Sequence, residues 1–142
     1  MSRDLSAFLS QNVKRVENTL YPATNRIVDE NGKPIPWEIC CITATENARI
    51  RKGCMTTVAV AGKKGQYTQE FNSQLYLARL CVRTTVYPDL QDKELQDSYG
   101  VMSAEELIST MLTPGEFEDY ATAVMKANGF DDEENLVEEA KN

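Results

Sequence analysis

Histidine is absent from all 142 residues. That absence removes the commonest general base, the commonest zinc ligand and every Ser-His or Cys-His nucleophile pair. Long apolar runs are missing too: none approaches the roughly 18 residues that a membrane-spanning helix requires. The opening "MSRDLSAFLSQN" has neither the apolar stretch nor the small-residue cleavage site of a signal peptide. Cysteine is sparse, and Cys40, Cys41, Cys54 and Cys81 show no C-x-x-C spacing. These gaps lead to the expectation of a reduced, cytoplasmic, non-enzymatic protein with no catalytic residue, metal or cofactor, and with no membrane partner.

What is present is a globular composition with an acidic bias. Hydrophobic residues make up 42% and charged residues 26%, with a net charge of -7. A chain of this length forms one domain that buries roughly two-thirds of the surface its unfolded form exposes. The charge is uneven: residues 1–71 hold ten Lys/Arg against seven Asp/Glu, whereas residues 72–142 hold five against fifteen. Lys and Arg must outweigh acid wherever phosphates are neutralised, so a nucleic acid partner is not expected. A protein partner is.

The pattern along the chain predicts an α+β, mainly α fold: a compact bundle of short helices with a small antiparallel β-ribbon near the N-terminal third. Residues 1–15 form an N-terminal amphipathic segment, with Leu5, Phe8, Leu9, Val13 and Val16 at helical spacing and a short helix expected over about 5–12. Asn31-Gly32 reads as the turn of a ribbon with strands at about 23–29 and 35–42, because both residues tolerate the positive φ of a tight hairpin turn. Thr43 with Glu46, Ser103 with Glu106, and Thr113-Pro114 with Glu116 have the spacing of helix-start caps, and Gly53, Gly100 and Gly129 stand where helices end. "TTVAVAGKKGQY" predicts a strand and an exposed basic loop. The apolar residues from Phe71 to Val82 predict a central buried helix that stops before Tyr87-Pro88. The globular helical domain spans 16–129, and 130–142 is read as an acidic, flexible tail.

Several local patterns resemble sites and are better explained otherwise. "GKKG" lacks the spacing and the Lys-Ser/Thr pair of a phosphate loop. "DENG" lacks the remaining oxygen ligands of a calcium loop. The paired acids fall mainly in first helical turns, where they favour the positive end of the helix dipole, or in the tail. Trp37 reads as packing of the ribbon against a helix. The residues left over as candidate partner contacts are the apolar ones near the ends of the chain, Phe8, Leu9, Phe130 and Leu136.

The run "WEI", the later "GKKGQYT", the segment "YPDLQDKELQDSYGVMSAEEL" and the stretch from "MLTPGEFEDY" to "NGFDDEENLVEEAKN" resemble the XkdN-like tail assembly chaperones of long-tailed phages and phage-like elements of Gram-positive bacteria. The resemblance runs from Leu5 nearly to the end of the chain. It implies a cytoplasmic protein, absent from the finished virion, that coats and solubilises the tape measure protein and helps recruit tail tube protein subunits. Self-association is compatible with it. It also implies a longer form made by ribosomal slippage near the end of the gene, and Ala140-Lys141-Asn142 admits codons on which such a slip occurs. The rival expectation is a structural tail or connector subunit retained in the particle.

Overall fold

The fold is organised around one central helix that packs against three others. A computed structural model of the chain describes residues 3–130, and its elements in order are β1 (Thr19–Tyr21), β2 (Trp37–Ile39), α1 (Ala44–Lys52), β3 (Met55–Ala59), β4 (Tyr67–Phe71), α2 (Ser73–Thr84), β5 (Thr85–Tyr87), α3 (Lys93–Ser98), α4 (Ala104–Met111) and α5 (Pro114–Ala127). The chain is α+β. Helix α2 packs against α1, α4 and α5, while α5 also reaches β1.

Local sequence explains most helix boundaries. The side chains of Thr43, Asn72, Asp92, Ser103 and Thr113 each accept a hydrogen bond from the backbone N–H three residues on, which satisfies one of the free amides at a helix start. At α5 the reciprocal half is present as well, because Thr113 N–H donates to Glu116 Oε1 at 2.9 Å. The α5 terminus closes with Gly129 at φ +87. Gly129 N–H donates to the Lys126 carbonyl and Phe130 N–H to the Met125 carbonyl, both at 3.0 Å, the bond pair of a Schellman ending.

The expected ribbon is replaced by a different pairing. Asn31-Gly32 does turn the chain, with Gly32 at φ +78, but only an isolated bridge between Val28 and Pro34 spans it. Pro34 and Pro36 each remove a ladder donor, so the returning segment cannot zip along 23–29. Trp37–Ile39 instead forms the central strand of a three-stranded antiparallel sheet in the order β1-β2-β5, with Tyr21 opposite Trp37 and Thr19 opposite Ile39. The N-terminal helix is also absent: residues 6–8 make a single 3₁₀ turn, and every residue from 3 to 18 is exposed. So short a segment has no packed face to hold it, and isolated helices under about 12 residues do not persist.

A third difference lies before α2. Tyr67–Phe71 is a strand, paired with Met55–Ala59 in a separate two-stranded sheet, and α2 begins only at Ser73. The "GKKG" loop is therefore a hairpin tip, with Gly62 and Gly65 both at positive φ. Phe71 closes that strand opposite Met55, just before the Asn72 cap of α2, and its ring lies 5.6 Å from that of Tyr76 and 4.4 Å from the Arg51 guanidinium.

The core sits where the sheet meets α2, α4 and α5. Trp37, Ile39, Leu80, Leu107, Ile108, Tyr120 and Val124 are each no more than 1% exposed. The Tyr120 ring meets Trp37 edge-on at 5.1 Å. Thr85 Oγ1 donates its one proton to the Cys81 carbonyl at 2.6 Å, so the Tyr120 hydroxyl, 2.7 Å from Thr85 Oγ1, is the donor of that pair. Burial holds the Tyr120 phenol above its ordinary pKa and pushes the Cys81 thiol up to about 12. Cys81 is thus an inert core thiol, because reactivity requires the thiolate.

Candidate interaction surface

Two features outside the core join apolar character to accessibility. The first is the N-terminal segment, where Leu5, Phe8, Leu9, Val13 and Val16 are 66%, 77%, 47%, 56% and 64% exposed. The hydrogen bonds that residues 3–17 make to described residues are all local: Ser6 N–H and Ser6 Oγ donate to the two Asp4 carboxylate oxygens at 2.9 Å, and Asn12 Nδ2 donates to the Ser6 carbonyl at 2.7 Å. Asp4 thus holds Ser6, the first residue of the 3₁₀ turn. The first cross-link to the domain is at Asn18, whose Nδ2 donates to Glu38 Oε2 at 2.8 Å.

The second feature is an apolar groove of about 220 Å³. Its floor includes Trp37 and Met111; Ile27 and Ile35 come from the turn segment, Tyr87 and Pro88 from the end of β5, and Leu95 and Tyr99 from α3 and the residue after it. Tyr87 is 55% and Tyr99 39% exposed. Sequence reasoning did not find this groove. Its lining comes from four separated stretches whose residues each look like ordinary core or turn positions, and only the packing brings them together.

Phe130 is placed differently from Phe8 and Leu9. It is half-buried and lines a cavity of about 190 Å³ with Ile42, Leu80 and Asn128. The Asn128 amide stitches this edge together: its Oδ1 accepts from Ile42 N–H at 2.8 Å, and its Nδ2 donates to the Cys40 carbonyl at 3.3 Å. Cys40 and Cys41 are both half-buried in the stretch that Asn128 holds. Leu136, like Ala140-Lys141-Asn142, lies outside the described residues.

Among the described residues, the most strongly perturbed carboxylate is committed to structure. Glu116 accepts from Arg26 Nη2 at 2.6 Å, from Thr113 N–H at 2.9 Å and from Thr24 Oγ1 at 2.5 Å. Chiefly through the Arg26 bond, its carboxyl is held down to about 2. This ties the 22–26 loop to the start of α5 and leaves the carboxylate no capacity as a base at neutral pH. Glu46 likewise pairs with Arg83. Among the described residues there is no group of three or more Cys, Asp or Glu placed to hold a metal ion, and no helix long and apolar enough to cross a membrane.

Comparison with known proteins gives these surfaces a context. Residues 5–141 match the family described as phage XkdN-like tail assembly chaperone proteins. Two relatives from Bacillus subtilis (strain 168) are similar over 141 residues: the uncharacterized protein YqbN, at 34% identity over 98% of this chain and 93% of its own, and the phage-like element PBSX protein XkdN, at 32% over 98% and 94%. The crystal structure of YqbN superposes with a TM-score of 0.77 at 29% identity, covering 92% of this chain and all 100% of that one. A tail assembly chaperone has a non-catalytic role. The chain belongs to the XkdN-like family of phage tail assembly chaperones.

Proposed function

We propose that this protein binds the tape measure protein of its phage or phage-like element, keeps it soluble in the host bacterial cytoplasm, and helps recruit tail tube subunits as the tail is built. The observation that carries this reading is the N-terminal stripe of Leu5, Phe8, Leu9, Val13 and Val16, five exposed apolar side chains on a segment not packed on its own domain, in a member of a tail assembly chaperone family. A long, helix-rich client needs apolar cover along its length and charge to keep the complex in solution. The stripe offers the first and the net charge of -7 the second. Such contacts are of the helix-in-groove kind, in which a few aromatic and aliphatic anchors supply most of the affinity. Phe8 and Leu9 are the proposed anchors, with Phe130 and Leu136 as a second set at the other end of the chain. A longer product made by slippage at Ala140-Lys141-Asn142 would carry the tube-recruiting part.

Co-expression tests the proposal. The soluble yield of the cognate tape measure protein is expected to rise in the presence of this chain, and the two are expected to co-elute on gel filtration. A tape measure protein equally insoluble with and without it, and no complex on the column, would remove the tape measure protein as its client.

A further inference from the structure

The chain carries two open apolar surfaces that match each other. The segment 3–16 places Leu5, Phe8, Leu9, Val13 and Val16 on one face if it coils, and the Asp4 carboxylate already accepts from Ser6 at its first turn. It has three basic residues, Arg3, Lys14 and Arg15, against the single acid Asp4. The groove over Trp37 has the opposite sign on one bank. The stretch that supplies Leu95 and Tyr99 also carries Asp89, Asp92, Glu94 and Asp97, with Lys93 the only cation there, 3.2 Å from Asp97. At about 220 Å³ the groove is smaller than the roughly 300–1,000 Å³ typical of small-molecule sites. That size suits anchoring side chains from a helix face.

We propose that, in the client-free protein, the N-terminal segment of one copy coils and seats Phe8 and Leu9 in the Trp37–Tyr99 groove of a second copy. The chain's own segment does not fill its own groove, since residues 3–18 are exposed throughout and Tyr87 and Tyr99 remain accessible. A second copy covers both surfaces at once, and the groove supplies the packing without which so short a helix does not persist. The basic segment and the acidic bank steer the encounter and make it salt-sensitive. The pairing stores the same side chains that the proposed function offers to a client, yet it depends on no client and stands or falls separately.

Sedimentation velocity of the full chain over a wide concentration range tests it. The mass of the wild type is expected to rise with concentration. The double variant Phe8→Glu/Leu9→Glu and the groove variant Tyr99→Glu are each expected to stay monomeric, with the circular dichroism of the wild type at its monomeric dilution. Mixed together, they should form a 1:1 complex, because each supplies the half that the other lacks. A labelled peptide of residues 3–16 is expected to bind the Phe8→Glu/Leu9→Glu chain and to bind about tenfold or more weakly when Tyr99→Glu is added, the loss expected for a buried interfacial anchor. Should Tyr99→Glu disturb the fold, Tyr87→Ser in β5 takes its place. A wild type that is monomeric throughout overturns the proposal, and if the peptide still binds the double variant, the segment closes its own groove instead. A mixture that does not associate overturns it too, as does equal dissociation by Tyr67→Ser on the β3–β4 hairpin, which would move the interface there.

Discussion

At the scale of single residues, Glu116 shows how one side chain serves two levels of structure. Its backbone position makes it the third helical residue of α5, where a carboxylate completes a capping box. Its side chain also gathers Arg26 and Thr24 from a loop about ninety residues earlier. The carboxyl is held at about 2 against an ordinary 4.5, so between those values the unfolded chain binds a proton that the folded chain does not. Stability from this group is therefore complete above pH 4.5 and is lost as pH falls toward 2. Glu116→Gln is expected to lower Tm at pH 7 and to lose less of its remaining Tm than the wild type between pH 4.5 and 2, as read by thermal denaturation across that range. Parallel wild-type and variant curves throughout would mean that the Arg26–Glu116 pair does not set the acid limb. Trp37 and Tyr120 act at the same scale but through burial, with the Tyr120 hydroxyl satisfied by Thr85.

At the scale of elements, the contrast is between helices stabilised by packing and a segment that has the helical pattern without it. Helices α4 and α5 have both caps and a buried face, with Leu107, Ile108 and Met111 on one and Tyr120, Ala121 and Val124 on the other. The N-terminal segment has comparable apolar spacing yet holds only a 3₁₀ turn at Ser6–Phe8 and a turn closed by Asn12 N–H on the Leu9 carbonyl. Periodicity says which face would be buried, and only a neighbouring surface makes the helix form. Replacing Phe8 and Leu9 by Ser is accordingly expected to leave the monomer's stability within about 0.5 kcal/mol, measured by denaturant unfolding at low protein concentration. The same variant should lose about tenfold or more in affinity for the tape measure protein, since a buried interfacial aromatic contributes roughly 2 kcal/mol or more. A large fall in stability with unchanged binding would place the segment in the core.

At the scale of the whole molecule, charge and apolar exposure are unevenly distributed. The basic residues Arg49, Arg51 and Lys52 of α1 and Lys63 and Lys64 of the hairpin tip lie in the first half, and the acids of α3 to α5 in the second. A subunit that stays in a tail must complete a permanent interface, and such interfaces are large and apolar. The large exposed apolar side chains among the described residues fall in separate places, among them the N-terminal stripe, Leu20 and Val86 of the three-stranded sheet, the groove rim, the β3–β4 hairpin and Met102. Mass spectrometry of purified particles is expected to find the tail tube and tape measure proteins and to lack this chain. Recovery in many copies per particle would establish the structural-subunit alternative.

The sequence by itself determined what depends on near neighbours. The caps at Thr43, Asp92, Ser103 and Thr113, the glycine closing α5, and the apolar faces of α2, α4 and α5 follow from spacings of three to five residues, because helix hydrogen bonds and caps are that local. The motifs from "WEI" to "MLTPGEFEDY" sufficed for the family. Tertiary structure decided what depends on distant partners. β2 took β1 and β5 as neighbours across gaps that no local rule spans, and two prolines closed off the pairing that Asn31-Gly32 invited. Phe71 went to a strand, paired with Met55 sixteen positions earlier in the chain. The groove of Trp37, Tyr87 and Tyr99 exists only once four separated segments meet. Strand pairing and concave surface are properties of contact between segments far apart in the chain, and hydrophobic periodicity records which face is buried without recording against what.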